Sequence, residues 1–271
     1  MDPIVTRLSE VYSELPRGER AIVRVLLDDY PFAALGSLRA LADRAGVSPP
    51  TASRLFDRLG YAGFAAFQSA VRAGAREHDR SRLQEFVARS PGTRGAAEDL
   101  RAGLDGTLAA VSESQLAAVA ALLAEAGGVW AVGGPLSELA AEYLVRQLAG
   151  LRPGAHRVPG SPAARARVLL DLGPSDVVVA YDFRRYSPDT AAFVRAARSR
   201  QARLVLVTDA WESPLAPHAE VLIRLPREAA GPIAPLTHEI AVTELVLVAT
   251  ASRLAPAVRL AELDELTQSL Q

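Results

Sequence analysis

The stretch that decides the fold of the N-terminal part of the chain is SLRALADRAGVSPPTASRLFDRLGYAGFAAFQ, residues 37–68. Apolar residues recur at helical spacing from Leu38 until Gly46, which permits a tight turn. Ser48 is suited to cap a second helix, and the two prolines after it lie in the first turn, where the N–H groups that they lack have no helical partner. The inner face of that helix would carry Ala52, Leu55, Phe56 and Leu59. This pattern predicts a helix-turn-helix.

The second helix of such a motif presents its first turns to the major groove of DNA. Arg54 is the candidate for a bidentate contact to guanine or for a phosphate clamp, and hydroxyl groups suit base edges or phosphate. Residues 36–76 hold six arginines and two aspartates, which gives a local charge of +4. The alternative is a helical hairpin within a bundle. The residues that we predict to face DNA are Ser48, Pro49, Pro50, Thr51, Ser53, Arg54 and Arg58.

The composition excludes several classes of site. None of the 271 residues is cysteine, and the four histidines form no ligand-spaced cluster, so we expect no metal and no cofactor. The N-terminus carries acids where a signal peptide needs basic residues, and no window approaches eighteen apolar residues. We therefore expect a cytoplasmic protein with no membrane partner. The net charge of -1 confines any nucleic-acid surface to one region, and because all 30 basic residues are arginine, their abundance reflects compositional bias.

From Val129 onward short apolar runs alternate with helix-sized segments. Such alternation predicts a doubly wound, five-stranded parallel sheet of flavodoxin-type order with helices on both faces, which makes the fold class α/β with an all-α N-terminal domain. The predicted strands are Val129–Val132, a weak one at Ala155–Val158, Val177–Tyr181, Leu204–Thr208 and Val221–Leu225. The predicted helices between and after them are Leu136–Ala149, Ala163–Leu170, Pro188–Ser199, a long one from near Pro235 to about Arg253, and a short one in the tail.

The predicted organisation is a helix-turn-helix domain over residues 1–77, a helical linker over 78–111 and a sheet domain over 112–271. Ser112 is the expected N-cap of the helix that leads into the sheet domain.

Two loops of the predicted sheet carry candidate ligand-binding residues. Gly133 and Gly134 follow the first strand and allow close backbone approach to an anion, with the Ser137 hydroxyl near the next helix N-terminus; the alternative is a turn that ends a strand. The loop after the third strand, YDFRRYSPDT, holds two adjacent arginines. These arginines either bind a carboxylate or phosphate effector, or form salt bridges with nearby aspartates, or are solvated. The candidate residues of this second loop are Asp182, Arg184, Arg185, Ser187 and Thr190.

Residues 41–67 resemble the N-terminal domain of RpiR-type transcriptional regulators, in which the signature LAxxAGVSxxTxSRLxxxLGYxGFxxF recurs. The match runs from Leu41 through Gly46 and Arg54 to Phe67, and its LGYAGFAAF tail is the most specific part. Upstream, LPRGERAI at residues 15–22 is similar to the first helix of that domain.

The second domain of such regulators is a SIS domain, a sugar-isomerase-like fold that binds phosphorylated sugars. Residues 129–137, VWAVGGPLS, and the segments Thr208-Asp209 and Ser213–Ala216 resemble its loops. In SIS domains the loop after the third strand reads like S-x-S-G-x-T, whereas residues 182–187 here read DFRRYS, so only the final hydroxyl fits. The resemblance therefore implies an effector loop that has been rebuilt.

The resemblance implies a non-enzymatic regulator that binds an inverted-repeat operator in double-stranded DNA as a homodimer or homotetramer. Its effector would be a small anionic metabolite, either a sugar phosphate or a sugar acid. One alternative is a SIS-fold sugar-phosphate isomerase or lyase, for which His238-Glu239 is the candidate acid–base pair, although neighbours on a helix point in different directions. Another is a regulator whose SIS domain only oligomerises. No residue is assigned a catalytic role.

Overall fold

The structure, a computed structural model, describes residues 3–28, 30–74, 93–183, 187–209, 212–226 and 235–270. The described residues up to 74 belong to one compact unit, and those from 93 onward, apart from residue 212, belong to a second.

The first unit is helical. A helix at residues 64–74, named α6, follows five earlier helices: α1 (Pro3–Val11), α2 (Arg17–Asp28), α3 (Phe32–Leu35), α4 (Leu38–Ala45) and α5 (Pro49–Arg58). Helix α2 packs against both α4 and α5. Their apolar faces meet in one core, in which Ile22, Leu41, Leu55 and Phe56 are at most 1% exposed. The inner faces of α4 and α5 are therefore fixed by burial, and their outer faces are left for other contacts.

The second unit is an α/β sandwich with a parallel sheet. Its strands are β1 (Val129–Gly133), β2 (Ala155–Arg157), β3 (Val177–Tyr181), β4 (Arg203–Asp209) and β5 (Val221–Leu225). Its helices are α7 (Thr93–Ala110), α8 (Glu113–Glu125), α9 (Glu138–Leu151), α10 (Pro162–Asp171), α11 (Pro188–Ser199), α12 (Thr237–Leu254) and α13 (Ala257–Ser269).

The strand order is β2-β1-β3-β4-β5, and every pair is parallel. One face of the sheet forms a core with α8, α9 and α12, and the other face packs mainly on α10 and α11. All five residues of β3 are buried because that strand is central and covered on both faces. The predicted fold class and the flavodoxin-type order are confirmed.

The largest differences from the predicted elements lie at weak local signals. Helix α9 begins at Glu138 rather than Leu136, since Pro135 to Ser137 form a turn. Strand β2 has three residues and lies at the sheet edge. Helix α7 belongs to the second unit, although the sequence placed residues 78–111 in a linker; the domain boundaries themselves stay a prediction.

Within the described parts of the chain, no helix taken singly has both the length and the apolar content needed to cross a membrane. Two pairs of consecutive helices, α7 with α8 and α12 with α13, reach that length and apolar content only when the two helices of a pair are counted as one segment. The chain bends by 72° between α7 and α8 and by 108° between α12 and α13.

Candidate functional sites

The turn between α4 and α5 has the geometry that the sequence predicts. Gly46 ends α4 in the left-handed conformation, with φ +64° and ψ 35°, and its N–H donates to carbonyls of the last helical turn. Ser48 caps α5 by accepting the Thr51 N–H at 3.4 Å, and prolines occupy the first turn. Because both ends of the turn are fixed by hydrogen bonds, the start of α5 has a defined direction.

The predicted DNA-contacting residues divide into exposed and partly buried side chains. Thr51 is partly buried, because its hydroxyl lies 2.9 Å from the Ser48 hydroxyl and a Cβ placed on Gly18 of α2 would lie 3.1 Å from its methyl carbon. Ser53 is also partly buried. The exposed members are Ser48, Pro49, Pro50, Arg54 and Arg58. The outer surface of α5 thus offers one well-placed cation in its second turn, Arg54.

Arg58 is held by an ion pair that the sequence did not reveal. Its Nε lies 2.9 Å from Oε2 of Glu19 on α2, a carboxylate that is only 5% exposed. The Arg58 side chain itself is 56% exposed. A buried carboxylate needs such a partner, so Arg58 stabilises the α2–α5 contact whatever else it touches.

The LGYAGFAAF tail forms part of the core behind α5. Gly60 and Gly63 adopt φ of +83° and +86°, which only glycine adopts without strain. The turns that they permit bring Phe64 and Phe67 to 4.9 and 4.8 Å from the ring of Phe56. The most specific part of the sequence signature therefore supports the second helix from behind.

In the second unit, the candidate effector residues lie at the carboxyl ends of β1 and β3, where the strand order reverses. Gly133 pairs with Tyr181, and the Gly134 N–H points to the Tyr181 carbonyl at 3.4 Å. Ligands of open α/β sheets bind at such a reversal point. The predicted loops are therefore brought together.

The two glycines of the β1 loop differ in what they permit. A Cβ on Gly133 would lie 2.5 Å from the carbonyl carbon and oxygen of Ser137, so this glycine lets α9 start close to the strand. A Cβ on Gly134 would be 3.8 Å from Cβ of Ser187, which is an ordinary contact. Ser137 is 7% exposed, and its hydroxyl makes no capping hydrogen bond.

Asp182 is buried directly after β3, with 1% of its surface exposed. Its Oδ1 accepts the Ser187 N–H at 3.2 Å, and its Oδ2 accepts the hydroxyl of Ser213. Burial raises its pKa, and the hydrogen bonds from Ser213 and Ser187 act in the opposite direction. Asp182 thus joins the loop after β3 to the loop after β4.

Ser187 and Thr190 begin α11 as predicted, but their roles differ. The Ser187 hydroxyl caps the helix by accepting the Thr190 N–H at 3.3 Å, and this side chain is only partly buried. The Thr190 hydroxyl is 1% exposed and donates to the Gly133 carbonyl at 3.3 Å. Thr190 therefore connects α11 to the end of β1. The remaining candidates of this loop, Arg184 and Arg185, lie outside the described residues.

Ser213 and Thr208 were not predicted as site residues, although both belong to the segments that carry the family resemblance. The Thr208 hydroxyl accepts the Ser213 N–H at 3.0 Å, and both side chains are buried. Their link to Asp182 spans 31 residues, a distance at which no local pattern operates.

A second buried polar group lies beneath the same edge of the sheet. The Tyr181 hydroxyl is 2.7 Å from that of Thr243, which donates to the Glu239 carbonyl. Burial raises the pKa of Tyr181. His238, next to Glu239 on α12, places Nδ1 2.7 Å from the Thr107 hydroxyl of α7. Within the described parts of the chain, no group of three or more His, Asp or Glu residues is arranged to hold a metal ion.

A helix-turn-helix whose second helix has an exposed outer face, in one chain with a parallel sheet that has loops at its reversal point, is the arrangement of DNA-binding transcriptional regulators with an α/β domain. Two family models match the chain: the helix-turn-helix domain of the rpiR family at residues 3–76 and the SIS domain at 122–253. Together they cover about three quarters of it. The chain belongs to the RpiR family of transcriptional regulators.

Solved structures agree with this assignment. The sugar isomerase domain of an RpiR transcription factor from Sphaerobacter thermophilus is 26% identical, with a TM-score of 0.58, over 64% of this chain and 95% of that one. The NanR protein of Vibrio vulnificus, in complex with ManNAc-6P, has a TM-score of 0.60 and 16% identity over 98% of both chains, a likeness that shows the fold alone. Among curated protein sequences, none matches the chain significantly.

Proposed function

We propose that this regulator binds operator DNA through α5 and responds to a small anionic, sugar-derived metabolite at the carboxyl edge of its sheet. The proposal of DNA binding rests on one observation: Arg54 is exposed on a helix whose opposite face, with Ala52, Leu55 and Phe56, is fully buried. A helix that is held by its buried face and carries an exposed arginine fork in its second turn is the arrangement that reads a guanine or clamps a phosphate.

The DNA-binding half is tested by measuring affinity for a promoter fragment adjacent to the gene, over a series of salt concentrations. Arg54→Ala should weaken binding by about 1–3 kcal/mol with the fold intact. Arg54→Lys separates the two roles, because lysine keeps the charge but lacks the planar fork that a guanine contact needs. Arg101→Ala on α7 is the matched control, an exposed arginine of the other unit. Binding that is absent or insensitive to salt would refute the proposal.

Arg58→Ala is a less direct test of DNA contact. The substitution leaves the buried carboxylate of Glu19 without its ion pair, so a loss of affinity would combine a lost contact with lost stability. Its effect on DNA binding is interpretable only after the melting temperature has been compared with that of Arg54→Ala.

For the effector, we propose a site between the β1 loop and the start of α11. The residues proposed for it are Gly133, Gly134, Ser137, Asp182, Arg184, Arg185, Ser187 and Thr190. The closeness of Gly134 to the partly exposed Ser187 supports this location. The complex of Vibrio vulnificus NanR with ManNAc-6P supports a sugar-derived ligand. The site is tested by measuring how sugar phosphates and sugar acids shift the melting temperature. If the double variant Arg184→Ala, Arg185→Ala keeps the shift seen with the wild type, the two arginines do not bind the effector.

We propose that the second unit pairs chains into a homodimer or homotetramer, which would place two α5 helices on the half-sites of an inverted repeat. Exposed apolar side chains on the surface of this unit support an interface; they include Leu136, Leu139, Val258, Leu260, Leu263 and Leu266. Analytical ultracentrifugation tests the proposal, and a monomer at micromolar concentration would contradict it.

We also propose that the protein works in the cytoplasm, with domains at 1–77 and 112–271 joined by 78–111, and that it is not an enzyme. His238 and Glu239, the candidate acid–base pair, are both fully buried, and His238 is bonded to Thr107. Limited proteolysis tests the domain limits. Isomerisation of any sugar phosphate that produces a thermal shift would contradict the non-enzymatic role.

A further inference from the structure

Two side chains that the sequence assigned to DNA contact, Thr51 and Arg58, touch another helix of the same unit. They lie on one face of α5, about two helical turns or roughly 10 Å apart along its axis. Leu55, between them on that face, is fully buried. The helix that packs against α5 here is α2. The contacts of Thr51 and Arg58 therefore bear on how α5 is held.

The Thr51 side chain is in contact at both of its ends. Its hydroxyl lies 2.9 Å from the Ser48 hydroxyl, and Ser48 also accepts the Thr51 N–H at 3.4 Å. On α2, a Cβ added to Gly18 would lie 3.1 Å from the Thr51 methyl carbon and 3.6 Å from a methyl carbon of Val47. The absence of a side chain at Gly18 thus lets the first turn of α2 lie close to the start of α5.

Arg58 is bound to the next residue of α2, Glu19. Its Nε donates to Oε2 of Glu19 at 2.9 Å, and its Nη2 donates to Oε1 at 3.5 Å. The Glu19 side chain is 5% exposed, and a buried carboxylate needs a charged partner. Two adjacent residues of α2 therefore hold α5 at two points, one near its start and one at its end, which opposes rotation of α5 against α2.

We propose that Thr51 and Arg58 are positioning residues that act through α2, and that Arg54 reads the DNA from the exposed side of the helix that they hold. This inference rests on the proposed DNA binding by α5 and assigns the roles within it. Among the exposed side chains of α5, Arg54 and Arg58 carry N–H donors, and two donors of Arg58 are directed at Glu19. Because a bidentate base contact tolerates little misplacement, the contacts with α2 determine how well Arg54 meets its base.

The test measures the affinity of the full chain for the promoter fragment adjacent to the gene and for a random-sequence duplex of the same length, over a series of salt concentrations. Glu19→Gln is the most informative variant, since its loss of a negative charge would by electrostatics alone tighten DNA binding. The positioning role predicts the opposite sign: this variant should bind the promoter fragment at least about fivefold more weakly. Asp57→Asn is the matched control, because it removes the same charge from an exposed position on α5. The control should bind both duplexes at least as tightly as the wild type.

Arg58→Gln distinguishes a positioning role from a phosphate contact. Loss of a phosphate contact lowers the salt slope by about 1, whereas loss of a positioning contact leaves the slope unchanged and weakens promoter binding more than random binding. The double variant Glu19→Gln, Arg58→Gln should lose no more promoter affinity than the weaker of the two single variants, because all three lack the same ion pair.

Gly18→Ala tests the other contact without changing any charge. The added Cβ presses on the Thr51 methyl carbon and should lower promoter affinity by at least about threefold. Thr51→Ser in the same chain removes that methyl group and keeps the hydroxyl that meets Ser48, so it should restore the affinity. This pair of variants decides the proposal if Glu19→Gln fails to fold by circular dichroism.

Three results would each overturn the proposal: promoter affinity in Glu19→Gln that is unchanged or tighter, a salt slope lowered by about 1 in Arg58→Gln, or promoter affinity in Gly18→Ala that does not fall or that Thr51→Ser does not restore. Arg54→Ala, measured beside these variants, separates this inference from the proposed DNA binding. A loss in Arg54→Ala with none in Glu19→Gln refutes the positioning roles alone, whereas no loss in Arg54→Ala refutes the proposed DNA contact itself.

Discussion

Gly133→Ala tests whether the end of β1 is fixed by space. The added Cβ would lie 2.5 Å from the carbonyl carbon and oxygen of Ser137 and 2.6 Å from the backbone nitrogen of Glu138, about 1 Å inside normal contact. All three atoms are backbone of the segment that starts α9, so no side-chain rotation relieves the clash. Helix α9 cannot retreat as a whole either, since Leu144 and Leu148 on it are fully buried.

The expected loss is about 3 kcal/mol of unfolding free energy, at the upper end of the usual range for overpacking. That loss multiplies the unfolding constant by roughly 150. Gly134→Ala is the matched control: its Cβ would meet nothing closer than 3.8 Å and neither glycine has positive φ, so we expect a change of at most about 1 kcal/mol, of stabilising sign.

Urea unfolding followed by tryptophan fluorescence measures the stability of both variants with a probe close to the substituted turn. The chain has two tryptophans, Trp130 and Trp211, and Trp130 lies on β1 itself. Equal midpoints for the two alanine variants would show that the β1–α9 turn yields easily and that backbone contact does not restrict the residue at position 133.

Two further predictions concern buried polar groups. Thr107→Val should cost about 1–3 kcal/mol in the same urea assay, because it removes the hydroxyl that bonds His238 Nδ1 inside the core, whereas Thr107→Ser should retain most of that stability; equal losses would assign the effect to packing. Burial raises the folded-state pKa of Asp182, so the folded wild type binds a proton more readily than the unfolded chain does. The wild type should therefore lose stability relative to Asp182→Asn as the pH rises from about 4 towards that raised pKa. Parallel curves of urea midpoint against pH for the two proteins would contradict this prediction.

The sequence predicted those elements best whose signals are local. The bounds of β3, β5 and α11 coincide with the predicted ones, because apolar runs mark the two strands, and Ser187 followed by Pro188 marks the helix start. The α4–α5 turn was predicted for the same reason: Gly46 and Ser48 each act on their own neighbours. Where the local signal was weak, as at β2, the prediction was correspondingly loose.

The roles of the site residues depended on partners far away in sequence. Arg58 is exposed in any helical pattern, and only the fold brings it to Glu19, 39 residues earlier. Asp182 reads as a loop carboxylate that a ligand could contact, and only the fold shows it enclosed by Ser187 and Ser213. Residue type and spacing were enough to propose both sites, whereas the state of each side chain depends on tertiary contacts that no local pattern contains.

The buried hydrogen bonds beneath the carboxyl edge of the sheet bear on how a ligand could act. Apolar packing between β3 and its covering helices gives a close-packed interior that resists gradual deformation. At the edge, α11, α12 and α7 add polar contacts to this apolar packing: Thr190 to Gly133, Tyr181 to Thr243, and His238 to Thr107. A ligand shifts an equilibrium only by binding one arrangement of the protein better than another, so a ligand at this edge would act through a change in contacts of this kind.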